Sequence, residues 1–216
     1  MKKQYSILLF DLDKTLYPPE CGVWDAVGDR IHTFIQMKLN LSLEDAMNLR
    51  IRLRDKYQST MRGMHEEFNT DDQEFLEFVH DINLNSLIPA NPNLPKILTS
   101  IPQRKYIFTN SIDFHAQRVL NYLHISEYFE EIIDAQKITP FTKFEREAFP
   151  IALRLLGNPD PAECVMIDDE ETIIENAREE GLQGILVKKI PQQNGYNQIQ
   201  IPTINQIEEG LRQLTD

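Results

Sequence analysis

The chain has 216 residues, 41% of them hydrophobic and 26% charged, which suffices for the core of one large domain or of a domain with a smaller insert. A formal net charge of -12 repels polyanions at long range and argues against nucleic-acid polymers and membrane surfaces as partners. It leaves room for a small anionic substrate, since a metal ion or a few local cations invert the field at a single site. Cys21 and Cys164 lie far apart in no metal-ligand spacing and read as free thiols of a reducing compartment. The first apolar run stops at Asp11, too short for a secretion signal or a membrane span, so the expected location is cytoplasmic.

In chain order, SILLF (6–10) predicts a buried strand, followed at once by Asp11 and Asp13 and then by Pro18-Pro19. Residues 23–39 carry apolar side chains at helical spacing. Ser42, with Asp45 three positions on, opens a further helix expected to run to Met64, and Thr70 with Gln73 opens another. From Pro89 the rhythm changes to strands alternating with helices. Strands are predicted at 104–110, 131–135, 163–169 and 184–189. Helices are predicted to about Ser100 and over 113–123, 144–156 (interrupted by Pro150), 172–181 (closed by Gly181) and 204–214, with a loop over 190–202. The expected fold is α/β: a doubly wound, Rossmann-like parallel sheet formed by residues 1–18 and 87–216, with an inserted helical cap over 19–86.

Three strands end in unusual polar groups: Asp11 and Asp13, Thr109-Asn110-Ser111, and Asp168-Asp169. Singly, each is an ordinary cap, turn or solvated loop. Parallel strands bring all three to one rim, where four carboxylates would repel strongly unless a hard cation such as Mg²⁺ relieved them. A hydroxyl and a lysine beside them would suit the oxygens of a phosphate.

With these motifs in this order, the sequence resembles the haloacid dehalogenase-like phosphohydrolases. FDLDKTL (10–16) is similar to that family's first motif, DxDx[TV], and YIFTNS (106–111) to its second. CVMIDDEETIIENAREEG (164–181) is similar to the fourth, and the resemblance spans essentially the whole chain. The third motif departs from the pattern: TPFTKFEREAF (139–149) lacks the prolines that typically accompany the lysine. Lys143 takes the position by its distance to the following EAF, and Lys137 is the alternative.

The resemblance implies that Asp11 attacks phosphorus and forms an aspartyl-phosphate, while Asp13 protonates the leaving group and then activates water. It implies a Mg²⁺ site formed by Asp11, the backbone carbonyl of Asp13, Asp169 and, less directly, Asp168. Thr109, Lys143 and the backbone N–H groups of Leu12 and Asn110 would grip the phosphoryl oxygens, and Thr15 would tie the loop together.

Within the family the chain resembles the pyrimidine 5′-nucleotidases, through FDLDKTLYPP, CGV (21–23), KYQSTMRGM (56–64) and residues 74–94. Tyr57, Thr60, Arg62 and Gly63 match that subgroup, whereas Gln58 and Ser59 replace its Gly-Thr. The implied substrate is a nucleoside 5′-monophosphate such as UMP or CMP, with Arg62 a candidate contact to base or phosphate. Sugar-phosphate and cofactor-phosphate phosphatases, a phosphomutase, and a decayed phosphatase acting as a binding protein are the alternatives. Trp24, Phe34 and Tyr57 read as core, and all five histidines (His32, His65, His80, His115, His124) as structural or surface groups.

Overall fold

The computed structural model describes residues 5–57, 59–190 and 199–215. Its elements are β1 (Ile7–Phe10), α1 (Val23–Leu39), α2 (Leu43–Tyr57), α3 (Thr60–Phe68), α4 (Asp72–His80), α5 (Leu94–Ser100), β2 (Arg104–Phe108) and α6 (Asp113–Tyr122). There follow β3 (Ile132–Ile133), α7 (Ala148–Leu155), β4 (Cys164–Asp168), α8 (Glu171–Glu179), β5 (Gln183–Val187), β6 (Ile199–Ile201) and α9 (Ile207–Thr215). They form two compact units, Gly22–Ile88 and the remainder, Met1–Cys21 with Pro89–Asp216.

The larger unit is a parallel sheet in the order β3-β2-β1-β4-β5-β6. Every residue of β1 is buried, which is why that run is continuously apolar rather than alternating. Leu9, Phe108 and Met166 share a core with Phe149 and Ala152 of α7 and Ile174 and Ala177 of α8. The chain leaves β1 for β2 on one side and reaches β4 on the other, so the strand order reverses at β1. Crevices of that kind, at the carboxyl ends of the strands, are where open α/β sheets bind ligands.

Several boundaries differ from the sequence reading, each for a local reason. Pro150 does not interrupt a helix; it is the third residue of α7, in the first turn, where no intrahelical N–H bond is lost. Asp71, not Thr70, caps α4: its carboxylate accepts from Glu74 N at 2.7 Å. The helix opened by Ser42, whose hydroxyl accepts from Asp45 N at 3.1 Å, ends at Tyr57 instead of running to Met64. A new helix then starts with Ser59 as its cap. Residues 199–201 form β6 within the stretch expected as loop; residues 191–198 of that stretch, and Gln58, lie outside the described residues. Gly181, at φ +93, closes α8 as expected, and Leu182 N donates to Ala177 O at 3.0 Å.

In the smaller unit, Phe34 of α1 meets the edges of Phe75 and Phe78, with ring centroids 5.0 and 5.5 Å apart, so it is core as expected. Gly63 lets α3 approach α2: a Cβ there would lie 2.7 Å from the Leu53 Cβ. Gly63→Ala is therefore expected to destabilise the protein by about 1–3 kcal/mol through overpacking. Urea unfolding checks this, and an unchanged midpoint would show that the two helices separate without strain. Among the described residues, no helix is long and apolar enough to cross a membrane.

Candidate active site

Register brings the acids together. Phe10 pairs with Ile107 on one side and Ile167 on the other, and Asp11 N donates to Ile167 O at 2.8 Å. Asp11 and Asp168 thus leave adjacent strands at one level, about 4.8 Å apart as neighbouring parallel strands must be. One carboxylate oxygen from each of Asp11, Asp168 and Asp169 falls within 4.8 Å of the others. Asp11 and Asp168 are buried and Asp169 is half-buried.

A buried ammonium answers two members of this cluster. Lys143 Nζ lies 2.5 Å from Asp11 Oδ1 and 2.8 Å from Asp168 Oδ2, and its residue is only 1% exposed. Asn110 Oδ1 accepts from Lys143 N at 2.8 Å, and Asn176 Nδ2 donates to Phe144 O at 3.0 Å, so side chains from two other segments hold the lysine loop. The loop keeps its lysine in place without the prolines of the family pattern. Lys137 is not at the site: its Nζ binds Glu131 Oε1 at 2.6 Å and Ile132 O at 2.7 Å on the surface.

Asp13 contributes no carboxylate to the cluster. Its Oδ1 accepts from Tyr17 OH at 2.5 Å and lies 2.8 Å from His115 Nε2, while Oδ2 accepts from Ser111 Oγ at 2.5 Å. The backbone turns at Lys14, whose φ of 65° is left-handed, so that Leu16 N donates to Leu12 O at 3.0 Å and Tyr17 returns to Asp13. That is a role for Lys14 in its backbone; its Nζ lies 3.8 Å from Glu170. Thr109 is buried, and its Oγ1 accepts from Ser111 N at 3.0 Å. The Leu12 side chain is fully buried, and Thr15 is buried in the same loop. Arg62 lies in the smaller unit, in the first turn of α3. His115, expected to be structural, is instead a direct partner of Asp13.

The electrostatics show a deficit of positive charge. Burial opposes the charge of Lys143, but Asp11 and Asp168 outweigh it and hold the ammonium pKa above its ordinary value. Burial raises Asp11 and Asp168 despite Lys143, and burial with the neighbouring Asp11 pushes Asp169 up to about 7. Asp13 goes the other way: burial would raise it, yet His115, Ser111 and Tyr17 hold it well below the usual carboxylate range. Three crowded carboxylates, of which Lys143 bonds only Asp11 and Asp168, are the donor set that a hard divalent cation fits.

Over residues 5–181 the sequence matches the family profile of the haloacid dehalogenase-like hydrolases. The chain belongs to that family. As a haloacid dehalogenase-like hydrolase, it shares its fold with an HAD phosphatase from Thermococcus onnurineus (TM-score 0.66, 18% identity, 95% of this chain and 97% of that one). It is similar in the same way to 2-haloacid dehalogenase from Pseudomonas syringae pv. Tomato DC3000 (TM-score 0.63, 19%, 97% and 99%). A third neighbour is the HAD hydrolase YfnB of Bacillus subtilis, solved with magnesium bound (TM-score 0.61, 16%, 96% and 98%). Among curated proteins the hydrolase is 22% identical to Phosphate metabolism protein 8 of Saccharomyces cerevisiae over 200 residues. That match covers 82% of this chain and 59% of the yeast protein's length.

The raised carboxyls of this hydrolase give a pH signature. Asp169 titrates near 7 folded against about 3.9 unfolded, so the metal-free fold binds its proton more tightly. That contribution to stability is complete below the unfolded value and is lost as pH rises through 7. A divalent cation held by these carboxylates would replace the proton, so a Mg²⁺-induced rise in Tm should be small near about pH 5.5 and large near about pH 8. Thermal melts with and without Mg²⁺ test this, and a rise independent of pH would contradict the three-carboxylate site.

Proposed function

We propose that the protein is a Mg²⁺-dependent phosphomonoester hydrolase working through an aspartyl-phosphate on Asp11. One observation carries this reading: Lys143 bridges Asp11 and Asp168 at the carboxyl ends of β1 and β4, with Asp169 beside them. The cation would be held by Asp11, Asp168 and Asp169, where it would neutralise their repulsion and the charge of the phosphoryl group. A dehalogenase needs neither that acid cluster nor a second aspartate at position 13, so the phosphatase reading is the better supported.

In the proposed reaction, an Asp11 carboxylate oxygen forms a bond to phosphorus as the bond to the leaving oxygen breaks. Asp13, charged in the free site, would take the proton that a phosphomonoester carries near its second ionisation, about 6, and pass it to the leaving alkoxide. In the second step Asp13 accepts a proton from water, whose oxygen attacks phosphorus and frees Asp11. Lys143, Thr109 and the N–H groups of Leu12 and Asn110 hold the phosphoryl oxygens meanwhile.

The substrate class proposed is a nucleoside 5′-monophosphate, pyrimidine in preference. Tyr57, Thr60, Arg62 and Gly63 support it, with Arg62 as the contact to base or phosphate and the helical unit as the selective cap. Gly63 and Tyr57 also have structural duties, the close helix approach and a 3.1 Å hydrogen bond to Glu67, so the motif is not all recognition. A cavity of about 410 Å³ beside Asp169 offers room suited to a small metabolite. Free thiols at Cys21 and Cys164 fit a cytoplasmic setting. A phosphate-release screen over nucleotides, sugar phosphates and cofactor phosphates tests the assignment. UMP or CMP should be turned over fastest, and a clear preference for a sugar phosphate would overturn the nucleotide class while leaving the chemistry.

A further inference from the structure

The three groups that hold Asp13 are arranged unequally. Oδ1 is gripped twice, by Tyr17 OH at 2.5 Å and His115 Nε2 at 2.8 Å, whereas Oδ2 meets one hydroxyl, Ser111 Oγ, at 2.5 Å. An ionised carboxylate can only accept, so His115 Nε2 carries the hydrogen of that bond. His115 is 1% exposed and is fixed near the start of α6, two residues into a helix whose Ala116 and Val119 are fully buried. Two donors from separate segments hold Oδ1 and one hydroxyl holds Oδ2, so Oδ2 is the oxygen with fewer bonds to give up.

We propose that His115 is a positioning residue that, with Tyr17, anchors Oδ1 of Asp13 so that Oδ2 can be turned from Ser111 to the leaving oxygen. The inference rests on the phosphatase reading above. His115 does not touch substrate; it acts only through the aspartate it orients. Through Asp13 it bears on both steps, but kcat/KM reports only the first, in which the leaving oxygen acquires a proton, and esters whose leaving group departs as a stable anion need no such proton. A purely structural histidine would instead alter all esters alike.

The experiment compares benzyl phosphate, whose alkoxide must be protonated, with 4-nitrophenyl phosphate, whose phenolate leaves unaided. His115→Phe keeps the ring volume and removes the donor. Its kcat/KM on benzyl phosphate should fall about 100-fold and on 4-nitrophenyl phosphate by no more than about threefold. His115→Gln, which can return an N–H to Oδ1, should recover about tenfold of the loss on benzyl phosphate. If His115→Phe does not fold, as circular dichroism will show, His115→Asn carries the same comparison, its amide being too short to reach Oδ1. Equal losses on the two esters in a folded variant overturn the positioning role alone. A wild type that releases phosphate from neither ester nor from any compound of the phosphate screen overturns the phosphatase reading, and the role of His115 with it.

Discussion

Replacing Asp11 by Asn is expected to lower Mg²⁺-dependent phosphate release by about four orders of magnitude or more, because the amide cannot form the bond to phosphorus. The fold should survive. Asp11 is a buried carboxylate whose pKa is raised by burial and by the nearby Asp13, so its charge is a liability in the metal-free protein. Lys143 loses one partner in the variant but keeps Asp168 at 2.8 Å. Tm without metal should be unchanged or higher, and the rise on adding Mg²⁺ should shrink because one of three carboxylates is gone. A colorimetric phosphate assay and a thermal melt read both halves. Retained turnover in a folded Asp11→Asn protein would remove Asp11 from the mechanism.

Lys143→Met is expected to damage both stability and activity. It leaves Asp11 and Asp168 buried without their ammonium, and breaking a buried ion pair from one side costs about 3–5 kcal/mol. Loss of a cation aimed at the phosphoryl oxygens should lower kcat by about 100- to 1,000-fold. Mg²⁺ should restore part of the stability, since it also neutralises the acids, but little of the rate. Lys137→Ala is the contrast: its ion pair with Glu131 is exposed on both sides, so stability should change by less than about 0.5 kcal/mol and activity not at all. Urea unfolding and steady-state kinetics on the two variants separate the lysines. Equal behaviour of the pair would contradict the placement of Lys143.

The acids at the strand ends were legible because an apolar run as short as SILLF suits a buried strand better than a helix, and the polar residues after it then reach the rim. Parallel order then placed Asp11, Thr109 and Asp168 together without any knowledge of side-chain direction. Lys143 is favoured over Lys137 by its distance to EAF in the family's third motif, yet the groups that fix it, Asn110 and Asn176, give no signal in sequence because an asparagine hydrogen-bonding a distant backbone looks like any other. His115 escaped for a related reason. Its spacing marks it as a buried helix position, where an imidazole is ordinarily structural, and its partner Asp13 lies 102 residues away in sequence. The break between α2 and α3 was hidden because helical periodicity continues across it, and only the packing of Gly63 on Leu53 requires the second helix to turn back. Strand β6, three residues long with two isoleucines flanking a glutamine, carries too little periodicity to be told from a loop.

The stereochemical course at phosphorus tests the covalent mechanism most directly. An isotopically chiral phosphoryl group would be transferred from an aryl ester to an added alcohol in the presence of Mg²⁺. Attack by Asp11 followed by attack of the alcohol gives two inversions, so configuration should be retained. Net inversion would contradict an aspartyl-phosphate on Asp11.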